Sequence, residues 1–232
     1  MTENPGAPAR TAAMLVFDGM TVLDLVGPQA VFTAAGMQVS LVGATPDPVR
    51  CDSGARIEPT ATFADCPAEV DVLFVPGGDV SALLSDAAVL EFLADRGRTA
   101  GYVTSVCTGS MVLAAAGLLD GHRAATHWAT RELLAGLGVE VSAERVCEDG
   151  NRITGGGVTA GIDFGLTLVA RLLDAETAEF AQLVLEYDPA PPFDAGTPQR
   201  ARPEQVARLR DALTGQGAAL VAAVERVGRR AG

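Results

Sequence analysis

The sequence predicts an α/β fold in which a mostly parallel sheet is sandwiched by helices. Three observations lead there. Short, nearly continuous apolar runs, "AAMLVF", "VDVLFVPGG" and "GYVTSV", read as strands buried on both faces. Stretches with helical spacing alternate with them, as βαβ units require. Several of the runs stop at marked loops, after Phe17, at Gly77 and Gly78, and at Cys107. In parallel sheets, sites form at the carboxyl ends of strands.

In chain order, residues 12–17 form the first strand, and "LDLVGPQAVFTAA" follows as a helix ending at Gly36. "MQVSLVG" is the second strand. Residues 45–66, rich in Pro, Asp and Ser, are expected to be loop with a short strand or hairpin. "VDVLFVPGG" is a strand, "DAAVLEFLADRGRTA" a helix, "GYVTSV" a strand and "TGSMVLAAAGLL" a helix. "AATHW" and "VEVS" read as strands around the helix "ATRELLAGLG". "ERVCEDGNRIT" reads as a hairpin turned at Asp149, Gly150 and Asn151. Helices over 159–173 and 175–186, the Pro-rich "YDPAPPFDAGTP" and one last helix from Pro203 towards Val227 complete the chain. The expected division is a disordered tail over 1–12, an α/β domain over 13–186, and a C-terminal segment over 187–232 that packs a dimer.

Composition narrows the chemistry. The formal net charge of -12 opposes nucleic-acid binding, which needs a basic footprint. Every apolar run is interrupted before it could span a bilayer, and "MTENPGAPAR" has no signal-peptide character, so a cytoplasmic protein is expected. All 17 basic residues are Arg, which removes Schiff-base chemistry and the P-loop lysine. With only His122 and His127, a His-rich metal site is not expected, and neither a metal nor an organic cofactor is called for. Cys51, Cys66, Cys107 and Cys147 show no CxxC spacing and read as free thiols.

The stretch "TSVCTGS" places Cys107 where a strand becomes a helix, with Gly109 and Ser110 small enough for a tight turn. A buried free Cys is the ordinary alternative. The pattern favours a nucleophile elbow, in which the helix N-terminus would promote thiolate and the Thr108 N–H would stabilise developing charge. Gly77 and Gly78 could bring backbone N–H groups to a ligand as oxyanion donors or form only a turn. Asp24, between Leu23 and Leu25, is either a helix cap or a carboxyl with a raised pKa, able to donate a proton. "TGGGVTAG" fits a dinucleotide fingerprint poorly, and a close-packed helix start is expected. His127 has Ala129 where a Cys-His-Glu triad needs an acid, so a structural His is expected. Cys51, Cys66 and Cys147 read as bystanders.

Taken together, "LDLVGP", "TATFADCP", "VPGG", "YVTSVCTGSMVLAAAGLLDGHRAATHW", "GNRITGGGVTAGIDF" and "LEYDPAPPFDAGTP" resemble the ThiJ/PfpI superfamily, and within it the bacterial isocyanide hydratases. The resemblance runs from about Met14 to Pro203. It implies a flavodoxin-like, class I glutamine amidotransferase-like fold, a homodimer, and hydration of an isonitrile to an N-substituted formamide. It further implies Cys107 as nucleophile, Asp24 as acid/base, and Thr108 as a residue holding Asp24 or the thiolate. Gly78 would contribute an oxyanion N–H, and the helix starting near Gly156 and Val158 would form a wall of the pocket and adjust when the thiol is modified. Two features depart from the pattern. Thr108 stands where the peptidase branch has His, which disfavours proteolysis, and "PGG" continues as "DVSALL" rather than through another glycine. The amidase-like domains of AraC-type regulators share the "CTG...LLDG...THW" block, but the chain ends soon after its last predicted helix and is acidic. A ligand-sensing domain without DNA binding, or a cysteine-based redox protein, are the alternatives from other classes.

Overall fold

Strands rich in Val, Leu and Phe with no polar face can be stable only if both faces are covered, and the structure covers them. The computed structural model describes residues 9–216 and 218–228. The chain runs β1 (Thr11–Leu15), α1 (Val22–Ala34), β2 (Gln38–Gly43), the hairpin β3 (Val49–Arg50) and β4 (Arg56–Ile57), then β5 (Ala61–Thr62). It continues through β6 (Val72–Val75), α2 (Ala87–Gly97), β7 (Tyr102–Val106) and α3 (Gly109–Ala115). Next come β8 (Arg123–Ala124), α4 (Arg131–Gly136), β9 (Glu140–Val141) and the hairpin β10 (Val146–Asp149) and β11 (Arg152–Gly155). Helices α5 (Ala160–Leu172), α6 (Ala175–Val184), α7 (Pro203–Gln216) and α8 (Ala218–Gly228) follow.

The main sheet has seven strands in the order β10-β11-β7-β6-β1-β2-β5. All pairs are parallel except β10 with β11. Helices α1, α5 and α6 pack together on one side, while α2, α3, α4 and α8 form the other group. The α1–α5 contact is close because glycines line it. A Cβ at Gly161 would stand 3.0 Å from Pro28 Cδ, and one at Gly165 would stand 3.0 Å from Val31 Cβ. "TGGGVTAG" is thus a close-packed helix start. Phe164 on α5 meets Phe74 at 5.6 Å and Phe32 at 6.3 Å between ring centroids, filling the core between helix and sheet.

Three differences from expectation have physical reasons. The first strand begins at Thr11, because Asp71 accepts hydrogen bonds from the Thr11 N–H and hydroxyl and an ion pair from Arg10. Residues 1–8 of the expected tail lie outside the described residues. "AATHW" is strand only at Arg123–Ala124, paired with β9 in a separate two-stranded sheet; the His127 side chain caps a 3-10 turn at Trp128–Thr130 and ends it. The single last helix is two elements, α7 and α8. Helix α8 packs on α4, with Ala223 and Val224 buried, so this part of the C-terminal segment covers its own chain.

Candidate active site

Cys107 sits at the apex between β7 and α3 with φ 56°, a left-handed conformation that costs a non-glycine residue energy. Hydrogen bonds on both sides of the residue hold it there. Its N–H donates to Gly155 O and Gly156 O, at 3.1 and 2.8 Å. Its carbonyl accepts from the Thr126 hydroxyl at 2.9 Å and from the Ser110 hydroxyl at 3.2 Å. Gly109 lets the helix start against the neighbouring strand, since a Cβ there would lie 2.2 Å from Val75 O. The turn therefore has the strained strand-to-helix geometry of a nucleophile elbow.

Asp24 lies in the first turn of α1, fully buried. Thr21, not Asp24, is the residue at the helix cap. The Asp24 carboxylate accepts instead from the Gly77 N–H, at 3.0 Å across 53 positions of chain. Oδ1 has no hydrogen-bond partner among the described residues. The loop before α1 is laced to the Gly77–Gly78 loop: Thr21 N–H donates to Gly77 O at 2.9 Å, and Met20 bridges Gly78. A Cβ at Gly77 would stand 2.6 Å from Asp24 Oδ2, 2.7 Å from Cys107 Cβ and 2.7 Å from Thr108 N. Thiol, carboxyl and glycine amide thus converge on one point.

Burial pushes Asp24 up to about 7, against the opposing pull of the Gly77 N–H and the Cys107 thiol; the charge of Asp52 adds to the rise. Burial also pushes the Cys107 thiol well above its ordinary range, followed by repulsion from Asp24, with the Thr108 N–H acting the other way. The helix N-terminus was expected to promote a resting thiolate; in this buried site desolvation outweighs it. Burial raises both groups and the Asp24 charge raises the thiol further, so charging one works against charging the other.

The other expected residues fall around this pair. The Thr108 hydroxyl donates to Gly78 O and accepts from the Gly78 N–H, each at 2.9 Å. The Gly78 N–H is therefore committed to Thr108 and the Gly77 N–H to Asp24, so neither glycine presents a free N–H as an oxyanion donor. Gly156 and Val158 line a cleft next to the elbow, with Thr126, His127 and Trp128. Cys51, Cys66 and Cys147 are buried free thiols held up first by desolvation, with repulsion from Asp52 and Asp18 added at Cys51 and from Glu144 and Asp149 at Cys147. Thr126, which holds the strained carbonyl, was not singled out in the sequence, and Ser110 was noted for its small size and not for its bond to that carbonyl. Ser110 stands in the elbow motif, but nothing in the local pattern around Thr126 points to a bond 19 positions away.

Residues 10–171 match the DJ-1/PfpI family, and the chain belongs to it. The isonitrile hydratase of Pseudomonas putida is 51% identical over 81% of this chain and 82% of its own. The crystal structure of a ThiJ/PfpI family protein from Pseudomonas syringae superposes with a TM-score of 0.88 at 48% identity, covering 98% of this chain and 94% of that one. The HTH-type transcriptional regulator GbdR of Pseudomonas aeruginosa is 37% identical over 53% of this chain, but over only 34% of its own length.

Proposed function

We propose that the chain is an isonitrile hydratase, an enzyme that converts R–N≡C and water to R–NH–CHO without a metal or organic cofactor. The observation that carries the reading is the buried Asp24–Cys107 pair held by Gly77. The likeness to the Pseudomonas putida enzyme over most of both chains supports the substrate class.

The geometry suits an addition in which one proton must move as one bond forms. Asp24 takes the Cys107 proton, and the thiolate attacks the terminal isonitrile carbon. Asp24 returns the proton to that carbon, giving the thioimidate R–N=CH–S–Cys107. Water then adds across the C=N bond to give R–NH–CH(OH)–S–Cys107. Loss of the thiolate, reprotonated through Asp24, leaves the formamide and the starting pair. Thr108 acts by fixing Gly78 and by its N–H toward sulfur. Gly156 and Val158 would line the space for the substituent.

The reading includes a cytoplasmic homodimer. Leu23 is 40% exposed beside Asp24, and Phe180, Leu183 and Val184 on α6 are 49%, 76% and 55% exposed. These apolar side chains on adjoining helices form a better candidate for a subunit contact than α8, which covers its own chain. Among the described residues no helix is long and apolar enough to cross a membrane. The experiment is incubation with an aryl isonitrile while formamide absorbance is followed. Turnover by the wild type and none by Cys107→Ala is expected; no turnover with several isonitriles would overturn the reading. A monomeric mass at micromolar concentration would remove the dimer.

A further inference from the structure

We infer that the cleft beside the elbow receives the isonitrile substituent and that Arg131 selects substituents ending in a carboxylate. The chemistry at Cys107 rests on the hydratase reading; the binding preference does not.

The cleft, of about 520 Å³, begins at the nucleophile's own supports. Thr126 and Gly156 line it, and the same two residues bond the Cys107 carbonyl and N–H. From there it extends to His127, Trp128, Arg131 and Thr159, with residues 196–199 on one side. A substituent leaving the isonitrile nitrogen in this direction meets a flat indole and then polar groups that donate.

Arg131 is the decisive one. Its Nη2 donates to Ala143 O at 3.1 Å and its Nε is buried without an acceptor, which leaves Nη1 as the donor that is neither buried nor bonded among the described residues. No carboxylate lies within ion-pair distance of it among the described residues. Of the other charges of the lining, Arg145 pairs with Asp163, whereas Glu144 accepts from the Ser142 hydroxyl and keeps its negative charge, which the Arg131 cation has to outweigh. His127 adds a second donor. Its Nδ1 accepts from the Ala129 N–H at 3.3 Å, which assigns the ring proton to Nε2. Nε2 faces the Gly157 wall, 3.8 Å from where a Cβ would stand. Burial, and then the charge of Arg131, keep this ring neutral. A guanidinium with one terminal nitrogen accessible and unpaired, beside a neutral N–H donor, matches a carboxylate, which only accepts. The formal charge of -12 opposes anions in general, so a gain for a carboxylate has to come from these local groups.

The test compares 4-isocyanobenzoate with phenyl isocyanide in wild type, Arg131→Met and Arg131→Lys. The ratio of kcat/KM for the carboxylate over the neutral substrate should fall about 10- to 100-fold in Arg131→Met, mainly through KM, and recover in part with Lys. In wild type, added salt should lower the rate for the carboxylate more than for phenyl isocyanide, a readout that needs no variant. A third readout needs no turnover: 4-formamidobenzoate should protect Cys107 from alkylation better than formanilide, and Arg131→Met should lose the difference. Protection without turnover would sink the hydratase reading and keep the cleft assignment. Turnover with an unchanged substrate ratio, no salt effect and equal protection would overturn the cleft assignment and keep the hydratase.

Discussion

Gly77 and Gly156 stand on opposite sides of Cys107 and differ in how much room they have. Around Gly77 an added methyl group would collide with the carboxyl, the thiol-bearing carbon and a backbone nitrogen, all within 2.7 Å. Around Gly156 the nearest atoms to such a group, Arg145 O and Thr126 O, are 3.5 and 3.7 Å away, ordinary contact distances. One side of Cys107 is a tight clamp around the Asp24 carboxyl and the thiol-bearing carbon. The other is an open wall facing the cleft, where on the proposed reading the substituent's shape can vary without disturbing the pair.

The largest break in this contrast is removal of the Cys107 thiol, the proposed nucleophile. Cys107→Ala should leave a folded protein, because the backbone bonds to Gly155, Gly156, Thr126 and Ser110 do not use sulfur, and turnover should vanish. Peptide mapping should also show that a thiol reagent labels Cys107 before Cys51, Cys66 and Cys147, since among the described residues only Cys107 shares a hydrogen bond with a carboxyl, the raised Asp24; equal labelling would contradict the assignment.

Next in size is Gly77→Ala. Overpacking at a clamp with no slack typically costs about 1–3 kcal/mol, and here the atoms that must move are the reacting ones. Activity should fall at least as far as in Asp24→Asn, with a lowered melting temperature. Near-normal turnover would show that the clamp does not set the chemistry.

Asp24→Asn keeps size and polarity but cannot relay a proton, so a loss of about 100- to 10,000-fold is expected. It also has a stability signature. The native pKa is raised from 3.8 to about 7, so between those values the folded protein holds a proton that the unfolded chain has lost. The contribution is full below about pH 4 and is lost as pH rises through about 7. Asp24→Asn should therefore gain melting temperature relative to wild type more at about pH 8 than at about pH 5. An equal offset at both would mean that the carboxyl is not buried as described.

The smallest effect is expected at Gly156→Ala. The position has room and no left-handed φ, so stability should stay within about 1 kcal/mol and catalysis should change little next to Gly77→Ala. A collapse of activity comparable to Gly77→Ala would erase the contrast.

The same contrast bears on what could be read from the residues. The parallel strands, the Cys107 elbow and the "DGN" hairpin were legible because each is local: apolar runs, a strand-to-helix turn with small residues, and a turn triplet. Asp24 was legible only as a choice between cap and acid. What sets aside the cap is the bond from the Gly77 N–H, a partner 53 positions away. Gly78 looked like a free donor because nothing in "VPGG" shows that the Thr108 hydroxyl occupies it. Favouring a thiolate at the helix N-terminus misjudged the balance for a related reason. Periodicity places the turn, but desolvation depends on what α1 and the Gly77 loop bring over it. The cleft with Arg131 was invisible for the same cause, since His127, Arg131 and residues 196–199 meet only through the tertiary fold.

The most direct test of the central claim is the pH profile of kcat/KM for an aryl isonitrile, in wild type and in Asp24→Asn. Attack needs the form of the pair that carries one negative charge. The wild-type rate should therefore rise with pH and level off above an inflection near 7, where the raised Asp24 loses its proton. In Asp24→Asn the profile should lose that inflection and lie about 100- to 10,000-fold lower. A variant profile that kept both the wild-type height and the inflection near 7 would contradict the account, placing the proton relay on a group other than Asp24.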